Sequence, residues 1–158
     1  MTSPNKTKTV DISAEGFWHF SCEEYAQNKY YSKGKQSFNL LELQNKFGKN
    51  VNICLLMLYL DKFQIKSNQE VLLKLIQTIT HFDTTYLLPL RMLRKKLKSQ
   101  YDDIELYKSI RSKLLDAELL MEKHQQSQLI VTLKNYSLTH NDLVDNLSFY
   151  LNFNEKLI

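Results

Sequence analysis

Three glycines and two prolines are all that punctuate 158 residues, and a chain with so few breakers is committed to long, uninterrupted elements. Which elements they are follows from the spacing of the apolar residues. Ser13 can cap a first helix running to about Tyr30, with Phe17, Ser21 and Tyr25 on one face and Trp18, Cys22 and Ala26 beside them. Residues 32–36 read as a turn, and Ser37 then opens a second helix that turns Phe38, Leu40, Leu41, Leu43 and Phe47 inward and ends at Gly48. Asn50 or Asn52 can cap a third helix over residues 51–63, apolar almost all round and so placed at the centre of the fold. Ser67 and Glu70 have capping-box spacing ahead of Val71, Leu72, Leu75, Ile76 and Ile79. Pro89 begins a fifth helix or kinks a longer one. Asp102 and Asp103 stand where a sixth should start, with Ile104, Tyr107, Ile110, Leu114, Ala117 and Met121 recurring at helical steps and a continuation towards Leu133. A last helix is predicted from Thr139 through Leu143, Leu147 and Leu151.

No internal repeat and no alternating strand pattern interrupts this series. The expected fold is all-α: a single-domain irregular or orthogonal bundle of about six to seven helices. Residues 1–11 are expected to form a disordered leader and residues 12–158 one helical domain, with 136–158 as a C-terminal helix that can attach loosely. At this length a chain can bury roughly 68–70% of its unfolded surface, enough for a core without staples. Both cysteines, Cys22 and Cys54, fall among apolar residues, and a buried pair of thiols suits a reducing compartment. The polar opening carries no apolar signal segment, and the longest apolar run, residues 53–60, is far shorter than the ~20 residues a membrane span needs. These features place the protein in the cytoplasm.

The order of several motifs resembles a bacterial family of small helical proteins known only as a domain of unknown function. They are the aromatic opening Phe17, Trp18, His19, Phe20, Tyr25 and Ala26; Leu43-Gln44 followed by Gly48; Val51-Asn52 leading into the apolar helix; and Pro89-Leu90-Arg91 with Arg94 and Lys95. The resemblance covers roughly residues 14–122. It implies a helical fold and brings no catalytic residues with it.

The net charge of +4 is mild, so a binding face for an acidic partner must come from local clustering. Residues 89–98 supply it, with five cations, no carboxylate and leucines at helical spacing. Arg91, Arg94, Lys95 and Lys98 follow i, i+3, i+4 and i+7 and line one side, while Leu90, Leu93 and Leu97 line the adjoining one. Such a ridge can hold an acidic protein surface or nucleic-acid phosphates. Alternatively, Arg94 forms a structural ion pair with Glu118 and its i+4 neighbour Glu122, which fall near the buried side of the sixth helix.

Competing chemistries find less support. His19 has Glu23 and Cys22 within one helical turn, but His81, His124 and His140 stand apart and no metal-site spacing occurs, so neither metal nor cofactor is expected. There is no nucleophile elbow and no phosphate-cradling glycine loop, hence no expected catalytic residue. Trp18 reads as a core anchor, Gln44, Asn50 and Asn52 as capping or turn residues, and Asp61 as solvent-facing or as an arginine's partner. The resulting expectation is a non-enzymatic interaction module that binds an acidic protein through its basic helix. An RNA- or ribosome-associated protein, a motif-less enzyme or ligand-binding bundle, and a membrane-surface protein are the alternatives.

Overall fold

The computed structural model describes residues 12–101, 103 and 105–154; the expected leader, Asp102 and Ile104 lie outside them. The architecture is mostly helical. In chain order it comprises α1 (Ala14–Ala26), β1 (Tyr31–Lys33), β2 (Gln36–Phe38), α2 (Leu40–Phe47), α3 (Val51–Lys62), β3 (Ile65–Lys66), α4 (Gln69–Phe82), a π-helical turn (Asp83–Leu87), α5 (Leu88–Tyr101), α6 (Tyr107–Leu133), β4 (Thr139–His140) and α7 (Asn146–Leu151).

Caps mark the boundaries. Ser13 Oγ accepts from Gly16 N, as its position before α1 requires. The second helix starts at Leu40, later than Ser37, because Asn39 and Glu42 form a reciprocal capping box there. Ser37 lies in a strand instead. Gly48 at φ 65° ends α2 as expected, since a left-handed residue there is free of Cβ strain. Asn50, rather than Asn52, caps α3. Ahead of α4 the cap is Asn68, one residue beyond Ser67. α6 begins at Tyr107 with no side-chain cap, four residues past Asp103.

The two small antiparallel pairs are corrections to a purely helical expectation. β1 and β2 form a hairpin, Tyr31 opposite Phe38 and Lys33 opposite Gln36, turning through Gly34 at φ 65°. Buried Glu24 of α1 holds it: Tyr31 Oη donates to Glu24 Oε1 at 2.7 Å, and Lys29 Nζ lies 3.3 Å from Oε2. Burial, and after it the Glu24 carboxylate, drive the Tyr31 phenol well above its ordinary pKa. β3 and β4 pair Ile65 with His140 and Lys66 with Thr139, so the segment expected to open the last helix is a strand.

The apolar core forms around α3, whose Ile53, Leu56, Met57 and Leu60 are essentially inaccessible. Phe17 stacks on Tyr59 with ring centroids 5.4 Å apart. Gly16 makes this approach possible, because a Cβ there would stand 2.7 Å from Tyr59 Oη. Phe17, not Trp18, is the buried anchor of α1; Trp18 lies at the rim with Lys123 Nζ 5.6 Å from its ring. Tyr25, Leu41 and Phe47 are likewise more exposed than their spacing suggested. Val71, Leu72, Leu75 and Ile79 of α4, Leu129, Ile130 and Leu133 of α6, and Leu147, Tyr150 and Leu151 of α7 complete the core.

α7 is tied in, not loosely attached. Asn146 reaches across to β3, accepting from Ser67 N at 2.8 Å and donating to Ile65 O at 2.7 Å. Lys49 Nζ donates to the carbonyls of Tyr150 and Phe153, and Asn50 N donates to Tyr150 Oη. Asp61, half-buried and with no arginine partner among the described residues, accepts from the backbone N–H groups of Asn146 and Leu147 at the start of α7.

Burial raises the Asp61 carboxyl above its ordinary pKa, outweighing those two donors. A carboxyl raised on folding contributes stability that is full below its unfolded pKa and lost as pH rises through the folded value. The stability of the wild type relative to Asp61→Asn is therefore expected to fall with rising pH from near 3.8 upward. Urea midpoints across that range test this, and a flat or rising difference would refute it.

The thiols differ in environment. Cys54 is buried and its pKa is pushed up to about 12 by burial, whereas Cys22 is exposed, contrary to the expected buried pair. A thiol reagent near neutral pH should therefore label Cys22 alone in the folded protein and both cysteines in denaturant. Labelling of folded Cys54 at the rate of Cys22 would contradict the packing of α3.

Candidate interaction surface

α4, the π turn and α5 run on without a break from Gln69 to Tyr101. Pro89 lies within this continuous helix, two residues past the end of the π turn at Leu87, where its missing N–H removes one bond from the ladder. α5 and α6 are antiparallel neighbours, because Arg91 pairs with Glu122 while Arg94 pairs with Glu118. The geometry is close. Arg94 Nε and Nη2 donate to the two oxygens of Glu118 at 2.7 and 3.1 Å, a bidentate fork. Arg91 Nη2 donates to Glu122 Oε1 at 2.6 Å, and Arg91 Nε lies 3.9 Å from Glu118. The hydrogen bonds that Arg94 donates to Glu118 raise its pKa further above the ordinary value. Glu118 is 5% exposed, so this contact is sheltered from water.

The expected four-residue ridge is thus divided. Its arginines face α6, while Lys95 and Lys98, together with Lys96, are exposed and hold no carboxylate among the described residues. Leu90 and Leu97 are partly covered; Leu93 is exposed. Helical geometry turns Lys96 away from the face that carries Arg91 and Arg94, whereas Lys98 stays on that face one turn further along the arm and is exposed there.

The arm formed by α5 and the first part of α6 stands outside the apolar core. α5 contains no buried residue, and burial on α6 begins at Glu118. Exposed Met92 (60%), Leu93 and Leu120 (69%) therefore lie on the same arm as the lysines. Lys108, Arg111 and Lys113 add positive charge, against exposed Asp103, Glu105 and Asp116.

At the base of the arm, α6 passes from carboxylates to buried amides. Gln126 Nε2 donates to Ser21 Oγ and Asn52 Oδ1, and Asn52 Nδ2 donates to Gln125 Oε1, linking α1, α3 and α6. Sequence reasoning missed this cluster. Gln125 and Gln126 continue the face that carries Glu118 and Glu122, which was the available signal; Asn52 was masked by its plausibility as a cap.

Among the described residues no three His, Cys, Asp or Glu side chains gather as metal ligands. His19 is exposed beside Glu15, His81 is exposed, His124 packs on Phe82, and His140 lies near Gln64 and Asp142. No described helix is long and apolar enough to cross a membrane.

Residues 16–129 match a family described as a protein of unknown function, DUF2390. The chain belongs to DUF2390. The match takes in the aromatic opening, α3, the arginine–glutamate ladder and the amide cluster, and stops before β4 and α7. No curated protein and no solved structure matches the chain.

Proposed function

We propose that this DUF2390 chain is a non-enzymatic interaction module of the cytoplasm whose α5–α6 arm binds an acidic protein surface. One observation carries the reading: α5 buries none of its residues, while its arginines are engaged by α6, leaving Lys95, Lys96 and Lys98 exposed on the same helix as exposed Met92 and Leu93. Methionine and leucine on a solvated helix favour a partner that covers them, and the lysines favour one with carboxylates at its rim. A protein fits this mixture better than RNA. The guanidinium groups of α5 that could grip phosphate, Arg91 and Arg94, are already engaged, and no aromatic ring is interleaved between the lysines for base stacking.

The test begins with affinity capture at several salt concentrations, with and without nuclease. The captured protein is then purified and rebound to the isolated chain. Binding that survives nuclease, weakens with salt, and is lost both in Lys95→Glu/Lys96→Glu/Lys98→Glu and in Met92→Asp supports the reading. Binding abolished by nuclease would transfer the arm to RNA, and rebinding unaffected by either variant would remove the arm from function.

A further inference from the structure

The ion pairs of the arm divide its two helices into sides. On α5, Leu90, Leu93 and Leu97 lie on one flank of Arg94 and Arg91 on the other; on α6, Ile110, Leu114, Ala117 and Met121 lie on one flank of Glu118 and Glu122 on the other. Because Arg91 is bonded to Glu122, those two mark a common side of the joint between the helices. The two apolar stripes therefore share the opposite side.

Each stripe advances in steps of three and four residues, the spacing by which one helix seats its side chains against another. α5 and α6 use part of that surface on each other, which leaves Leu90, Leu97, Leu114, Ala117 and Met121 partly covered, but Leu93 and Ile110 stay exposed. A shallow apolar groove runs between the stripes. At its base Phe82 packs against both Tyr86 and His124, with ring centroids 5.2 and 5.4 Å away, and His124 continues the α6 stripe seven residues beyond Ala117. From there to Tyr101 the groove follows the 14 residues of α5, about 20 Å at the helical rise.

The edges of this groove are cationic. Lys96 follows Leu93 by three positions and Lys113 follows Ile110 by three, so each stands just outside its stripe, on the flank away from the joint. Both are exposed, and neither has a carboxylate partner among the described residues. Asp116 lies a further such step round α6 and turns away from the groove.

Two apolar rows at helical spacing, with a lysine on each outer edge, match a third helix that is apolar on one face and carries carboxylates on both shoulders. A second copy of this chain fits worse. Two arms joined along these grooves would gather Lys96 and Lys113 of both chains around one seam, and like charges set together oppose association.

We infer that the groove between α5 and α6 seats an amphipathic helix of an acidic partner protein, its apolar face on the Leu93 and Ile110 rows and its carboxylates beside Lys96 and Lys113. This rests on the arm as the chain's contact surface, and it adds which side of the arm is used and what form the partner segment takes.

The experiment uses the whole chain and a synthetic peptide of about 21 residues, or three heptads. The peptide carries leucines at three- and four-residue steps and glutamates on both shoulders, whose mutual repulsion opposes its own association. Fluorescence anisotropy of the labelled peptide measures affinity, and circular dichroism measures the helix gained on binding. Saturable one-to-one binding with a gain of helix is expected. Affinity should be at least about tenfold weaker when lysines replace the glutamates of the peptide, and likewise in Leu93→Asp/Ile110→Asp. Should those aspartates unfold the chain, Lys96→Ala/Lys113→Ala, which removes no apolar contact from the groove, is expected to bind several-fold more weakly. Absent or non-saturable binding, equal binding of a peptide with its leucines scattered around the helix, or unchanged affinity in the folded variants would overturn the inference. Sedimentation of the chain alone is expected to show a monomer; a dimer dissolved by Leu93→Asp/Ile110→Asp would overturn it in favour of self-pairing. The captured partner separates this inference from the reading beneath it. Rebinding lost in Lys95→Glu/Lys96→Glu/Lys98→Glu but kept in Leu93→Asp/Ile110→Asp would overturn the groove and leave the arm, whereas rebinding indifferent to every variant would remove both.

Discussion

Arg94→Met is expected to lower the folding free energy by about 3–5 kcal/mol, a large share of the roughly 5–15 kcal/mol a domain possesses. Its effect arises from the partner left behind. Glu118 is nearly inaccessible and would retain only the 3.9 Å approach of Arg91 Nε in place of a two-point hydrogen bond. Glu118→Met should be milder, because Arg94 has 23% of its side chain exposed and can turn its guanidinium towards water. The double variant, with neither charge, should recover much of the Arg94→Met loss, since apolar replacements for a sheltered ion pair are often close to neutral. Urea denaturation of the four proteins gives the coupling directly. Strictly additive losses would mean that the fork does not join α5 to α6.

Asn146→Ala should cost about 2–5 kcal/mol, because two buried backbone groups of the β3 segment lose their partner together. Ser67 N would lose its acceptor and Ile65 O its donor, each worth roughly 1–3 kcal/mol when left unsatisfied. Asp61 would still hold the start of α7 through the backbone. The Ser67 amide should accordingly exchange with solvent faster than the α3 amides, while α7 stays helical. A loss below about 1 kcal/mol, or an unchanged Ser67 exchange rate, would show that the asparagine bridge contributes little.

The arm illustrates how far residue order reaches. Spacing placed Arg91, Arg94, Lys95 and Lys98 on one broad side of a helix and Glu118 and Glu122 on another helix, and both a binding face and an internal pair were consistent with that. The packing of α5 on α6 separates the two outcomes: it sets Glu122 and Glu118 opposite Arg91 and Arg94 and leaves the lysines to solvent. Asp61 is a similar case: its role as a cap for α7 depends on a backbone 85 residues away.

Scarce breakers, a nearly all-apolar α3, and caps at Ser13, Asn50 and Gly48 made the helical character readable, because each acts within a turn or two of its own position. The strand pairs escaped because two or three residues are too few to show an alternating pattern, and Ile65 meets His140 only through the return of the chain. The same distance dependence hid Trp18's place at the rim and the amide cluster. Local periodicity specifies which face of a helix is apolar; which neighbour that face meets, and which polar groups are sealed in with it, is settled by long-range packing that no short window of residues contains.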